Sequence, residues 1–276
     1  MSRDPSVLRT GLLLCGLVAV AALAAPWIPG EPYRVDLERV LEAPSWTHWM
    51  GTDGLGRDVL ARLAYGARVS LTVGLGTAAI ALVIGLPLGA LAGYRGGWWD
   101  AAVSRVIEAV LCFPALLLAL ALLAVAPAWL ARLPETLRIA LALGIVAWTP
   151  TARYLRAEFK RMRGSEAVHA ARAAGAGGWR IAARHLLPQG LAPVLVTMAF
   201  GAAAAALAEA SLSFIGVGVS PPTASWGQML LEALRHMGRA WWLAAFPGAA
   251  LFVTVYGFNR LAEGLRDWLD PRPLLR

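Results

Sequence analysis

The chain has 276 residues, of which 58% are hydrophobic and only 15% charged. That balance excludes an ordinary soluble domain and matches an all-α polytopic membrane protein, since a helix satisfies its own backbone in lipid. The formal net charge of +8 gathers at the ends of apolar runs and in one loop, so it reads as membrane topology and not as a nucleic-acid footprint.

Residues 1–10 are polar and carry Arg3 and Arg9. Gly11 to Gly30 holds no charge, enough for a first span. Ala22-Leu23-Ala24 resembles a signal cleavage site, but the apolar run is longer than a signal core, so the segment is expected to persist as a helix. Glu31–Arg68 mixes six acids with five bases and reads as an outside loop with a little helix of its own. Within it, Gly51, Gly54 and Gly56 suit tight turns, and Asp53, Arg57 and Asp58 are spaced to pair and fix a turn ahead of a helix.

Val69–Tyr94 is uncharged for 26 residues and forms the second expected span. Gly85, Gly89 and Gly93 line one of its faces, a pattern that permits close helix contact in lipid. Pro87 among them predicts a kink. A short inside loop at Arg95–Asp100 leads to a third span over Ala101–Ala126. There Arg105 and Glu108 are spaced to pair near the inner end, and Pro114 interrupts the apolar run. An outside loop at Pro127–Glu135 precedes the fourth span, Leu137–Leu155, whose Arg138 and Arg153 must snorkel to the interfaces.

Arg153–Pro188 carries eight bases against Glu158 and Glu166, the mark of an inside loop. Ser165 is placed to cap a helix whose first turn holds Glu166. Alanines then continue it, and Gly175 ends it. A second helix is expected from about Gly178 to Leu187, where Pro188 forbids continuation. Small side chains let another protein's surface approach; the plainer alternative is a solvated basic loop that only sets topology.

The fifth span runs over Leu191–Ile215, with small residues at Gly201–Ala206 suited to tight packing. Glu209 inside it is either a structural hydrogen-bonding group near the outer interface or, with Ser211 and Ser213, a lining of the pathway. Gly216–Arg239 contains Pro221-Pro222 and Trp226-Gly227 and reads as a re-entrant or extended outside loop. Trp241–Phe258 is the sixth span, with aromatics at its outer edge. Six spans place both termini on the side that holds sixteen of the 25 basic residues, the cytoplasm.

Catalytic patterns are absent. The single lysine, Lys160, has no glycine before it, so there is no phosphate-binding loop. His48, His169, His185 and His236 lack metal-ligand spacing, and no Gly-x-Ser-x-Gly elbow occurs. Cys15 and Cys112 lie in apolar segments and read as packing residues. The expectation is a chain that is not an enzyme and holds no cofactor or metal.

His169-Ala170-Ala171, Gly175, His185 and Leu187-Pro188 keep the spacing of the cytoplasmic Glu-Ala-Ala signature of permeases of binding-protein-dependent ABC importers. His169 stands where the family usually has Glu, and His185 where many members have Ile. Gly51-Thr52-Asp53 followed by Gly56-Arg57-Asp58 resembles a signature of the dipeptide, oligopeptide and nickel permease group. So do the stretch Glu209–Phe214 with the Gly, Pro-Pro and Trp-Gly that follow it, and the ending Gly264–Arg272. The resemblance runs from about His48 to Arg272.

That resemblance implies a type I ABC importer permease bundle of six transmembrane helices, most like the second permease subunit of peptide systems, in a bacterial inner membrane. It implies half of a translocation pore for di- and oligopeptides, formed with a second permease subunit as a heterodimer. Two ATP-binding subunits would carry the ATP and magnesium, and a periplasmic or lipid-anchored binding protein would deliver cargo. Lipid surrounds the bundle, and no nucleic acid is involved. The implied coupling residues are Glu166, His169, Ala170, Ala171, Arg172, Gly175, His185, Leu187 and Pro188. The expected organisation is a tail and first helix at 1–30, a periplasmic loop at 31–67, a core at 68–262 with its coupling loop at 156–188, and a cytoplasmic tail at 263–276. Nickel, glutathione or another small solute remains an alternative cargo. A rival from another class is an ion-coupled secondary transporter using Glu209, for which no internal repeat is found.

Overall fold

Helix α1 (Pro5–Ala24) opens the chain as described by a computed structural model, which covers residues 5–128 and 130–269. Expectations placed on Arg3, Arg272, Arg276 and the rest of 270–276 fall outside the described residues. Among the described residues all regular structure is helical, apart from one bridge between Thr52 and Asp58.

After α1 come a 3-10 turn at Ala25–Trp27 and a loop that carries, as expected, a short helix of its own, the 3-10 turn Leu37–Arg39, before α2 (Val59–Arg95). This helix begins ten residues before the expected span, because Asp58 caps it: its Oδ1 accepts from the Ala61 N–H at 2.8 Å. The loop ahead of α2 therefore ends at Asp58, and Arg62 and Arg68 are helical. Pro87 lies inside α2 without ending it.

The third expected span is broken. α3 (Gly97–Leu111) and α4 (Ala115–Ala124) meet at 89°, with Pro114 at the elbow. α5 (Glu135–Met162) overruns its expected inner end by seven residues, through Arg156, Lys160 and Arg161. α6 (Glu166–Ala173), α7 (Gly178–Ile181), α8 (Leu187–Ile215), α9 (Trp226–Leu234) and α10 (Trp242–Leu269) follow.

Pro188 does not end the helix that begins at Gly178. A π-helical turn over Ala182–Leu186 joins α7 to α8. The widened turn moves the hydrogen-bond register by one residue, so the chain passes a proline that has no N–H to donate. The helical run Gly178–Ile215 is 38 residues long.

By length and composition four helical segments suffice to cross a membrane: Pro5–Trp27, Val59–Arg95, Gly178–Ile215 and Trp242–Leu269. The bent pair of α3 and α4 makes a fifth. The expected fourth span lies in α5, which is long enough but more polar and is not among them.

The bundle is built around α2 and α5, which share its most extensive interface. The glycine face of α2 makes this possible. A Cβ on Gly85 would fall 2.9 Å from the Trp148 carbonyl oxygen, and one on Gly89 2.7 Å from that of Ala152. Small residues here let backbones approach where lipid supplies no hydrophobic drive. On another side of α2, Ala202 and Ala203 of α8 pack with Ala78 and with Phe258 of α10. α1 lies along α10, and Gly11 and Gly264 face the opposite backbone in each direction.

Candidate functional site

Three groups of residues stand out: a helical foot at one end of α5, a charge cluster at the opposite end of α2, and a cleft between.

The foot is α6 with the turn and helix that follow. Ser165 occupies the cap position, but its hydroxyl makes no cap bond. Its carbonyl accepts from Val168 and His169 instead, at 3.0 and 3.1 Å. At the other end Gly175 adopts φ +80°. Its N–H donates to Arg172 O at 2.9 Å, and the Ala176 N–H donates to Ala171 O at 3.0 Å. This paired closure in a left-handed residue stops α6 and reverses the chain.

α6 has one buried anchor. Val168 is 1% exposed, whereas Glu166, His169, Ala170 and Arg172 are exposed. Val168 joins Phe159 and Met162 of α5, Ile181 of α7 and Leu186 in one buried cluster, with Tyr94 of α2 packed against it. The Arg172 guanidinium lies 6.0 Å from the Tyr94 ring centroid, a cation–π contact. Asp100 at the start of α3 takes both Arg156 and Lys160 of α5. The foot is thus a polar face with an apolar root, and the root is continuous with α5 and α2. His185 and Leu187 are half-buried at the π turn behind it, and Pro188 is exposed.

The second group surrounds the stretch Gly51–Asp58. Asp53 and Arg57 pair at 2.7 Å, with 2% and 6% of their side chains exposed. Arg62 of α2 donates to Asp53 and to both oxygens of Glu232 in α9, and Arg57 reaches Glu232 Oε2 at 3.0 Å. Two guanidinium groups and two carboxylates therefore balance within one largely buried site. Asp58 does not join it; it caps α2 and meets His48 Nδ1 at 2.8 Å. The Thr52 carbonyl accepts from Trp242 Nε1 at 3.1 Å, and the Thr52 hydroxyl donates to Arg39 O. Gly56, at φ +74°, lies so close to the Asp36 carbonyl that no side chain fits. These contacts bind the loop ahead of α2 to α2, α9 and α10. Arg62 and Glu232 carry no local sequence signal for this role, since they are 170 residues apart.

Glu209 is completely buried. Its Oε1 accepts from the Ser213 hydroxyl at 2.8 Å and its Oε2 from Ser70 at 3.3 Å. Ser213 in turn accepts the Val219 N–H at 3.0 Å. Ser211 is apart from them, half-buried, with its hydroxyl on Leu207 O.

The cleft, of about 470 Å³, lies between α2, the α3–α4 elbow, α5 and α8. Apolar residues such as Phe113 and Met198 line it with the hydroxyls of Thr149, Thr151, Thr197 and Tyr154; none of its lining residues is charged, and neither Glu209 nor Ser213 reaches it. Among the described residues no cluster of His, Cys, Asp and Glu is arranged to hold a metal ion.

Residues 85–274 match the family of binding-protein-dependent transport system inner membrane components. The chain is 41% identical to a putative peptide transport system permease protein of Brucella suis, over 96% of this chain and 87% of that protein. It is 37% identical to the dipeptide transport system permease protein DppC of Alkalihalophilus pseudofirmus, over 95% and 84%. Against the oligopeptide transport system permease protein OppC of Bacillus subtilis it is 34% identical, over 98% and 87%. Among solved structures, an inward-facing form of the MetNI methionine ABC transporter superposes with TM-score 0.62 at 18% identity, covering 75% of this chain and 96% of that one. The last likeness is one of fold.

Proposed function

The chain belongs to the family of binding-protein-dependent transport system inner membrane components, and from that premise we propose that it is the transmembrane subunit of an ATP-driven importer of peptides. It is a multi-pass protein of the inner membrane. The relatives' printed substrates, peptide, dipeptide and oligopeptide, support the cargo class.

The partners in this reading are a second permease subunit, two ATP-binding subunits carrying ATP and magnesium, and an extracytoplasmic binding protein. The permease itself splits no ATP. Both termini and the foot face the cytoplasm, where the exposed side of α6 seats on an ATPase subunit. The observation that carries this is Val168, which, with half-buried Ala171 beside it, roots an otherwise exposed helix in the cluster shared with Phe159 and Tyr94. A push on the foot therefore moves α5 and α2 together, and a rigid element of this kind converts closure of the ATPases into alternation of the bundle.

A carboxylate that couples an ion gradient must exchange its proton or ion with water. Glu209 is enclosed and held by two serines, which disfavours the ion-coupled reading. The test is reconstitution of the four-subunit complex with its binding protein in proteoliposomes. Peptide uptake must require ATP, and uptake driven by an ion gradient without ATPase subunits would overturn the proposal.

A further inference from the structure

Trp46 and Trp49 are 96% and 69% exposed, in a loop that is otherwise firmly held. The turn that presents them is closed by its own bonds. The Ser45 N–H donates to His48 O at 2.8 Å, the His48 N–H to Ser45 Oγ at 3.2 Å, and the Gly51 N–H to His48 O at 2.9 Å. Among the described residues neither indole N–H has an acceptor. Large apolar rings fixed in the open mark a surface that meets a partner.

Their place in the bundle says which partner. Thr52 is fastened to Trp242 at the start of α10, next to exposed Trp241. A Cβ on Gly30 would stand 3.0 Å from the Asp58 Cβ, which brings Trp27, three residues earlier, to the same end of the bundle. The run Pro5–Trp27 is long and apolar enough to cross a membrane, and it exposes Leu13, Leu17, Val20 and Leu23 on the way to an exposed Trp27. Such a face meets lipid. Trp27, Trp46, Trp49 and Trp241 continue it at the end opposite the foot, where a ring with one apolar and one polar side suits the boundary between lipid and water. The remaining tryptophans keep the same rule. Exposed Trp98 and Trp99 open α3, and exposed Trp268 lies in the last turn of α10, whereas Trp148 inside α5 is buried. No residue of the loop, α1 or α10 lines the cleft, so the two rings stand apart from it, on the side where α1 packs along α10.

We propose that the loop ahead of α2 is an interfacial anchor whose partner is phospholipid. The Trp46 and Trp49 rings lie at the boundary between acyl chains and headgroups, and their N–H groups donate to lipid oxygens. This rests on the chain being a multi-pass membrane protein and adds a loop contact to its spans. The ion pairs of Asp53, Arg57, Arg62 and Glu232 tie the same loop to α2 and α9, so the anchor holds that end of the bundle at a fixed height in the bilayer.

The test places the photo-reactive residue p-benzoylphenylalanine at Trp46, at Trp49 or at Leu17, one at a time, in the full complex in native membranes with its binding protein present. Irradiation is expected to give phospholipid adducts at 46 and 49, as it does at the reference position 17. Adducts of 46 and 49 with the binding protein or with the partner permease would overturn the anchor and make the turn a protein-docking surface. So would the lack of any adduct there while Leu17 labels lipid. Loss of lipid labelling at Leu17 itself would instead refute the placement of α1 in the membrane. A second measurement keeps the native rings. In proteoliposomes containing phospholipid brominated near the headgroup, the quenched fraction of tryptophan emission should fall in Trp46→Ser/Trp49→Ser relative to wild type. Rings that stand in water are the unquenched ones, so a fraction that rises or stays the same on their removal would overturn the proposal.

Discussion

A Cβ atom placed on Gly93 of α2 would lie 2.6 Å from the Cβ of Phe159 in α5, and 2.7 Å from the Arg156 carbonyl oxygen. No real side chain tolerates either distance, so the two helices touch through backbone at the root of the foot. Phe159 is itself 1% exposed and shares its cluster with Val168. The path from foot to bundle therefore contains no soft joint at this level.

Gly93→Ala is expected to pry α2 from α5. Overpacking of this kind costs about 1–3 kcal/mol. The purified complex should melt at a lower temperature, and Gly97→Ala, where a Cβ meets no neighbour but φ is +55°, should show only the smaller backbone effect.

The cluster of Asp53, Arg57, Arg62 and Glu232 predicts a non-additive pair. Arg62→Ala leaves Glu232 without its main partner, and breaking one side of a buried pair costs about 3–5 kcal/mol. Arg62→Met/Glu232→Met keeps the Asp53–Arg57 pair and removes one charge of each sign. It is expected to recover most of the loss in melting temperature. Protease sensitivity of the loop preceding α2 should follow the same order.

Glu209 separates a structural carboxylate from a coupling one. Glu209→Gln still accepts from Ser70 or Ser213 through its amide oxygen, and ATP-driven uptake should remain within a few-fold of wild type. Glu209→Ala strands both hydroxyls, at about 1–3 kcal/mol, and should lower the yield of folded complex. Loss of all uptake by Glu209→Gln in a well-folded complex would contradict the structural role.

The sequence made several of these features legible and hid others for physical reasons. The Gly85, Gly89 and Gly93 face was visible because it repeats at helical spacing, and it does carry the contact with α5. The stop at Gly175 followed from local chemistry alone. Helix ends were less visible: Asp58 caps α2 ahead of a charged residue, Arg62, which is tolerated because Asp53 and Glu232 neutralise it, and hydropathy counts only its charge. Pro114 marked a break, but its 89° angle depends on how α4 packs against α5. Pro188 misled because a π turn, which has no clear sequence mark, carries the chain past it. Glu232 was invisible because its partners are on a distant segment.

The lever proposed for the foot is tested most directly at Gly175. A Cβ there meets no atom within 4 Å, while the backbone sits at φ +80°. Gly175→Glu should therefore fold, at a backbone cost of about 1–2 kcal/mol, and place a charged side chain beside the face of α6 proposed to seat on the ATPase. The measurement is the ratio of ATP hydrolysed to peptide imported, taken on one preparation of the reconstituted complex. The lever predicts continued hydrolysis with uptake reduced by about tenfold or more, the scale of a typical coupling free energy. An unchanged ratio, with both rates at wild-type levels, would contradict it.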